Sequence, residues 1–149
     1  MFKSIAIAAT LAVMGATPAL AQSWEAISVS DNAVAAIDWD SLEVNGGRRT
    51  VTFAMVSLVE GAAPFDFAVS TIDMDCARPR YATIRSSFFD RAGDVVVEDF
   101  VGDGEWTPLS DGTMMSDVQK EACGGSSSRE GVFASAHQFA VNAWRVIAQ

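Results

Sequence analysis

From Trp24 to Val101 apolar residues alternate with polar ones at strand period, and only toward the C-terminus does the spacing become helical. Trp24 to Val29 and Ala33 to Ile37 read as two strands around an Asp31-Asn32 turn, an opening hairpin. Asp38, Asp40 and Ser41 then break the apolar run. Asn45-Gly46-Gly47 supplies residues that tolerate positive φ, as a tight hairpin turn needs. Arg49 to Val59 is the longest clear strand. Its two rows, Val51, Phe53, Met55, Val59 and Thr52, Ala54, Val56, Leu58, are both mostly apolar. That pattern predicts a central strand covered at least partly on both faces.

Phe65 to Cys76 alternates differently. Ala68, Ser70, Ile72, Met74 and Cys76 form one row, while Phe67, Val69, Thr71, Asp73 and Asp75 form another that ends acidic. The first row is the better core face at that end and predicts a buried cystine, with the two aspartates at a solvated strand end. Ala77 to Pro79 connects to a strand over Arg80 to Phe89. Asp90 to Gly93 is a hairpin turn, and Asp94 to Val101 returns. Successive strands with short polar turns and no long helix between them predict an antiparallel meander.

Trp106-Thr107-Pro108 reads as a packing corner, and Ser116 to Ala122 as a short helix ending at Cys123 with Gly124 as its stop. Ser127 and Glu130 have capping-box spacing. Behind them Val132, Phe133, Ala136, Phe139, Ala140, Ala143, Trp144 and Ile147 recur at helical spacing, predicting an amphipathic helix from about Arg129 to Ala148. The expected fold class is α+β: a single antiparallel sheet of about six strands, a C-terminal helix packed on it, and one disulfide.

Residues 1–21 read as an export signal. Lys3 gives the positive start, Ile5 to Val13 the apolar middle, and Ala19-Leu20-Ala21 a cleavage site before Gln22. The expected organisation is a signal peptide over 1–21, a sheet domain over 22–123, and a linker with the C-terminal helix over 124–149. Neither a membrane span nor a lipid-anchoring cysteine after the cut is expected. Without the signal the chain keeps nine basic and nineteen acidic residues, a formal net charge of −10. That balance argues against nucleic acid and against anionic lipid as partners. It suits a soluble monomer or homodimer in the periplasm or outside the cell. Export also favours a disulfide, and Cys76 and Cys123 are the sole pair, 47 residues apart. Closing that loop constrains the unfolded chain by about 4 kcal/mol in the loop-entropy picture.

Trp24, Ile37-Asp38, Asp40-Ser41-Leu42, Asp75-Cys76 with Arg80-Tyr81, Trp106-Thr107-Pro108 and Cys123 form an ordered set. The set resembles the bacterial surface-adhesin E-like domain over about residues 24–123. The resemblance implies a small exported domain with an antiparallel sheet, an accompanying helix and two linked cysteines. It also implies an envelope or surface role in which protein or another extracellular macromolecule is the partner.

Candidate chemistry is sparse. Asp73 and Asp75 share a strand face about 7 Å apart and could bind a cation or act as an acid–base pair. They lie beside Arg78 and Arg80, and no catalytic partner motif accompanies them. The acidic run of Asp94, Glu98, Asp99, Asp103 and Glu105 lacks calcium-loop spacing. His137, the one histidine, sits in the predicted packing helix and no G-x-S-x-G is present. The cysteines lack C-x-x-C spacing. Trp24, Trp106 and Trp144 read as core or corner residues, whereas Trp39, flanked by Asp38 and Asp40, is the best candidate for a ligand surface. No cofactor, metal or catalytic residue is assigned. The expected function is a non-enzymatic exported binding module with Trp39, Asp73 and Asp75 as ligand-binding candidates. A periplasmic structural or accessory protein without a host ligand is the alternative, and a hydrolase using Asp73 and Asp75 a third.

Overall fold

Six strands follow one another as an antiparallel meander: β1 (Trp24–Val29), β2 (Ala33–Asn45), β3 (Arg48–Ser57), β4 (Phe67–Asp75), β5 (Arg80–Phe89) and β6 (Val95–Val101). A two-residue strand, β7 (Thr107–Pro108), pairs with the start of β5, below the stretch that β6 occupies. Two helices come last, α1 (Met114–Gly124) and α2 (Ala136–Ile147). This computed structural model describes residues 22–125, 127 and 131–147. The expected export signal over 1–21 and the predicted capping residue Glu130 lie outside the described residues.

The alternation along the central strands sorts their apolar side chains onto two faces. Val34 and Ala36 of β2, Ala54 and Val56 of β3 and Phe67 of β4 pack with Phe139, Ala140 and Ala143 of α2. Ala35 and Ile37, Val51 and Phe53, and Ile72 and Met74 pack with Val118 and Ala122 of α1. Neighbouring residues on one strand point to opposite faces, so the two helices cover opposite sides of one sheet. The sequence foresaw one packed helix; the short segment before Cys123 is the second, and the doubly apolar β3 is its reason.

The instructive departures from the sequence reading concern β2 and the two helices. β2 does not stop at Asp38 but runs on to Asn45, with a register irregularity between Asp38 and Glu43. The Ser41 hydroxyl spans that break: it donates to the Asp38 carbonyl at 2.6 Å and accepts from the Thr52 amide at 2.8 Å. Polar residues that looked like a strand end instead supply the hydrogen bonds a bulge leaves unmade.

The second helix starts at Ala136 rather than near Arg129. Gly131 has φ of 66°, and Phe133 exchanges two backbone hydrogen bonds with Trp24, extending the sheet locally beyond β1. The cap is Ser135, whose hydroxyl accepts from the Gln138 amide at 3.1 Å, while the Gln138 side chain accepts from the Ala134 amide at 3.2 Å. Ser127 does not cap the helix but donates to Glu25 on β1 at 2.6 Å. α1 is longer than foreseen: Thr113 caps its start and Gly125, with φ of 66°, ends it.

Burial at the end of β4 is the reverse of the expectation. Cys76 is exposed and Cys123 half-buried, whereas Asp75 is 7% exposed. The bond forms as foreseen, Cys76 to Cys123 with 5.6 Å between Cα atoms, but it clips α1 to the rim of the sheet. Asp75 tolerates burial because basic side chains and a backbone amide enclose its carboxylate, as described next.

Candidate functional site

On the α2 face the sheet is divided lengthwise. At one end Trp24, Phe67 and Phe89 lie under α2, with Phe67 and Phe89 stacked at 4.8 Å. Toward the other end the same strand rows turn polar. Asp38, Thr52, Thr71 and Arg85 lie side by side in register, then Glu43, Thr50, Asp73 and Ala82, then Asn45, Arg48, Asp75 and Arg80. Side-chain exposure of 54% at Arg48 in this last row and of 69% at Arg78 in the adjoining turn shows that neither α1 nor α2 covers it.

The antiparallel register brings the β2–β3 and β4–β5 turns to the same rim, so Arg48, Arg78 and Arg80 meet around Asp75. Arg80 Nε donates to Asp75 Oδ2 at 2.9 Å, and its Nη2 stands 2.9 Å from the same oxygen in an ion pair. The Ala77 amide donates to Asp75 Oδ1 at 3.0 Å, and Arg78 Nε stands 3.7 Å from Oδ2. Burial raises the cost of charging this carboxyl. The Arg80 and Ala77 hydrogen bonds and the charges of Arg80 and Arg78 outweigh that cost, so its pKa lies below the usual carboxylate range.

Arg48 is held more loosely, 3.6 Å from Asp73. Trp106 joins from the segment before β7, its ring 4.5 Å from the Arg80 guanidinium carbon and 5.0 Å from that of Arg48. That segment reaches the rim because Gly102 passes tightly over β5. A Cβ there would sit 1.8 Å from the Thr83 carbonyl oxygen, so the crossing requires glycine.

These groups enclose a cleft of about 400 Å3 lined by Asn45, Gly47, Arg48, Asp75, Arg78 and Arg80. Helix α1 braces it from the opposite face. Gln119 Nε2 donates to the Asp75 carbonyl at 2.7 Å and to the Arg78 carbonyl at 2.9 Å. One helical turn later Cys123 is bonded to Cys76. Gln119 and the disulfide therefore fix the turn that carries Arg78 and Arg80 to the same helix.

Of the residues singled out from sequence, Asp73 and Asp75 come together here, each with an arginine partner. Asp73 Oδ1 is buried with no hydrogen-bond partner among the described residues. Trp39 lies elsewhere: half-buried, it packs on the α1-side cluster, and its indole N–H is likewise without a partner among the described residues. Trp24 and Trp144 are packed as foreseen, the latter donating to the Ser57 carbonyl at 2.9 Å. His137 is half-buried against Phe67, with Nε2 3.2 Å from the Arg91 carbonyl. Trp106 is not a packing corner but the aromatic wall of an arginine cluster. The sequence reading took Arg78 and Arg80 as neighbours of the acidic pair and did not single out Arg48. The signal for them is contrast: four of ten basic residues in an acidic chain, Arg48, Arg49, Arg78 and Arg80, lie at two turns that hairpin register joins.

A second polar feature lies two rows from the cleft along the sheet. Asp38 is 4% exposed, and Oδ1 accepts from the Ser23 and Asp40 amides, each at 3.2 Å. Burial pushes its pKa above the ordinary value, against the lowering effect of those two amides and with a further upward push from Asp40.

Among the described residues no helix is long and apolar enough to cross a membrane. No curated protein sequence matches the chain. Residues 24–124 match the family described as surface-adhesin protein E, a span reaching from the first strand through the disulfide and α1, and the chain belongs to that family.

Proposed function

We propose that this protein is an exported, non-enzymatic binding module that contacts extracellular macromolecules through the open rim of its sheet. The observation that carries the reading is the uncovered cleft around Arg48, Arg78 and Arg80. Folding energy alone gives little reason to hold such a cluster in place, because exposed ion pairs add at most about 1 kcal/mol each. A braced, exposed set of charged and aromatic side chains is the composition of recognition surfaces. Membership of the surface-adhesin family supports the same reading and supports export.

The non-enzymatic part rests on the acidic pair. A general acid at neutral pH needs a raised pKa, and Asp75 is shifted the other way. Its oxygens are taken up by Arg80 and the Ala77 amide. Asp75 therefore positions arginines rather than serving proton transfer, and Asp73 has only the loose Arg48 contact beside it.

The test uses intact cells producing the native protein. External protease should remove it while periplasmic markers survive, and the purified full-length export product should retain proteins from an extracellular-matrix extract. Protection from protease in intact cells together with no retention contradicts the proposal and favours the envelope accessory reading.

A further inference from the structure

Deepening that proposal, on which it rests, we infer that the rim cleft takes peptide carboxylates: a short acidic segment of a partner protein, gripped by Arg48 and Arg78. The charge layout argues for this class. Arg80 is committed to Asp75 through a hydrogen bond from Nε and an ion-pair contact from Nη2, each at 2.9 Å. Arg48 and Arg78 stand 3.6 Å and 3.7 Å from their carboxylates and are more than half exposed, so most of their N–H donors face the cleft and solvent. A guanidinium presents five donors in a planar fork matched to a carboxylate, and two such forks at one opening accommodate two acidic side chains or one chain terminus.

The same layout disfavours a long polyanion. The guanidiniums form an island in a chain with 19 acidic and 10 basic residues. Glu43 and Asp73 occupy the next row of the sheet, and Asp103 and Glu105 immediately precede Trp106 in the chain. A polymer carrying charge along its whole length would leave the cleft and run onto carboxylates, within the screening length of about 8 Å at physiological salt. A segment with one or two acidic side chains would not. The size of the cleft, about 400 Å3, also suits a few residues rather than an extended strand. Asn45 on its wall offers an amide that can pair with a peptide backbone. The brace from Gln119 and Cys123 holds Arg78 and Arg80 before the ligand arrives, which lowers the ordering cost of binding.

The test is calorimetric titration of the disulfide-intact protein with an acetylated, amidated tetra-glutamate peptide. Tetra-glutamine and dextran sulfate serve as comparison ligands. The protein should bind tetra-glutamate saturably, more weakly as salt rises, and ignore tetra-glutamine. The double variant Arg48→Gln, Arg78→Gln should bind about tenfold more weakly or worse, as expected for losing hydrogen bonds to a charged group. Its melting temperature should stay close to that of the parent, since neither arginine is buried. If that variant melts lower, the pair Arg48→Lys, Arg78→Lys keeps the charge without the fork and should still bind more weakly than the parent. Equal binding by parent and variants, no saturation by the parent, or tighter binding of dextran sulfate than of tetra-glutamate overturns the inference. Matrix proteins retained equally by parent and double variant would reject this cleft while leaving the binding-module reading intact. No retention by either would reject that reading itself.

Discussion

The two ends of the α2 face are built on the same strands and have opposite fates. At the covered end Phe67, 2% exposed, lies among Phe89, His137 and Trp144 at ring distances of 4.8 to 6.2 Å. At the open end Asp75, eight residues along the same strand, is enclosed by arginines. The first end is held by removing apolar surface from water, which any helix with the right stripe can do. The second is held by a register: Arg48, Asp75 and Arg80 meet because they are cross-strand neighbours. Stability is concentrated where chemistry is dull, and the chemically distinctive end is held from behind, by α1 and its disulfide.

Four variants probe that division, from the strongest effect to the weakest. Phe67→Ala should cost about 3–5 kcal/mol in urea unfolding, because it empties a stacked aromatic site beneath α2. A loss under about 1 kcal/mol would mean the covered end is not the core. Cys76→Ser with Cys123→Ser should cost about 2–4 kcal/mol, and should also weaken ligand binding at the rim without touching a ligand contact. Unchanged binding by a variant still folded at the assay temperature would separate the disulfide from the site.

Arg80→Gln should destabilise by less, and its signature is pH. The pKa of Asp75 is depressed in the folded state. The stabilisation from its partners is therefore complete above the unfolded carboxyl value of about 3.9 and is lost as pH falls through the lower folded value. Melting curves of parent and variant should differ at pH 7 and converge in strong acid; a gap that persists there would assign Arg80 a packing role. Asp38→Asn should do the opposite. Its folded pKa is raised, so the ionised form opposes folding at neutral pH, and the penalty fades as pH falls through that value toward the unfolded one. The asparagine oxygen can still accept from the Ser23 and Asp40 amides. The variant should melt slightly higher than the parent at pH 7, with the advantage gone near pH 4.

Local sequence carried most of the fold. The hairpin signals at Asp31-Asn32 and Asn45-Gly46-Gly47 stand where the chain turns, and the doubly apolar pattern of β3 foretold cover on both faces. Two cysteines in a chain read as exported sufficed to predict the bond. The strand break at Asp38 and the helix start near Arg129 were misread for one reason. Both depend on side chains, Ser41 and Ser135, that complete backbone hydrogen bonds whose vacancies exist only after neighbouring strands or helical turns are placed.

The site was half legible. Asp73 and Asp75 were visible as a pair, but their partner Arg48 is distant in sequence and arrives through β3–β4 register. Trp106 arrives through the tight passage of Gly102 over β5, which no local pattern announces. Burial of Asp75 and exposure of Cys76 inverted the expectation because alternation ranks faces by hydropathy, whereas here ion pairing decided which side chain could be enclosed.

The claim that the open rim is the binding surface is tested most directly by backbone amide chemical-shift mapping of the disulfide-intact protein during tetra-glutamate titration. The account predicts that the largest shifts fall at Asn45 to Arg48, Asp75 to Arg80 and Trp106, with α2 and β6 left quiet. Shifts centred on the groove between Phe133 and the α2 residues His137 and Val141, or along β6, would contradict it.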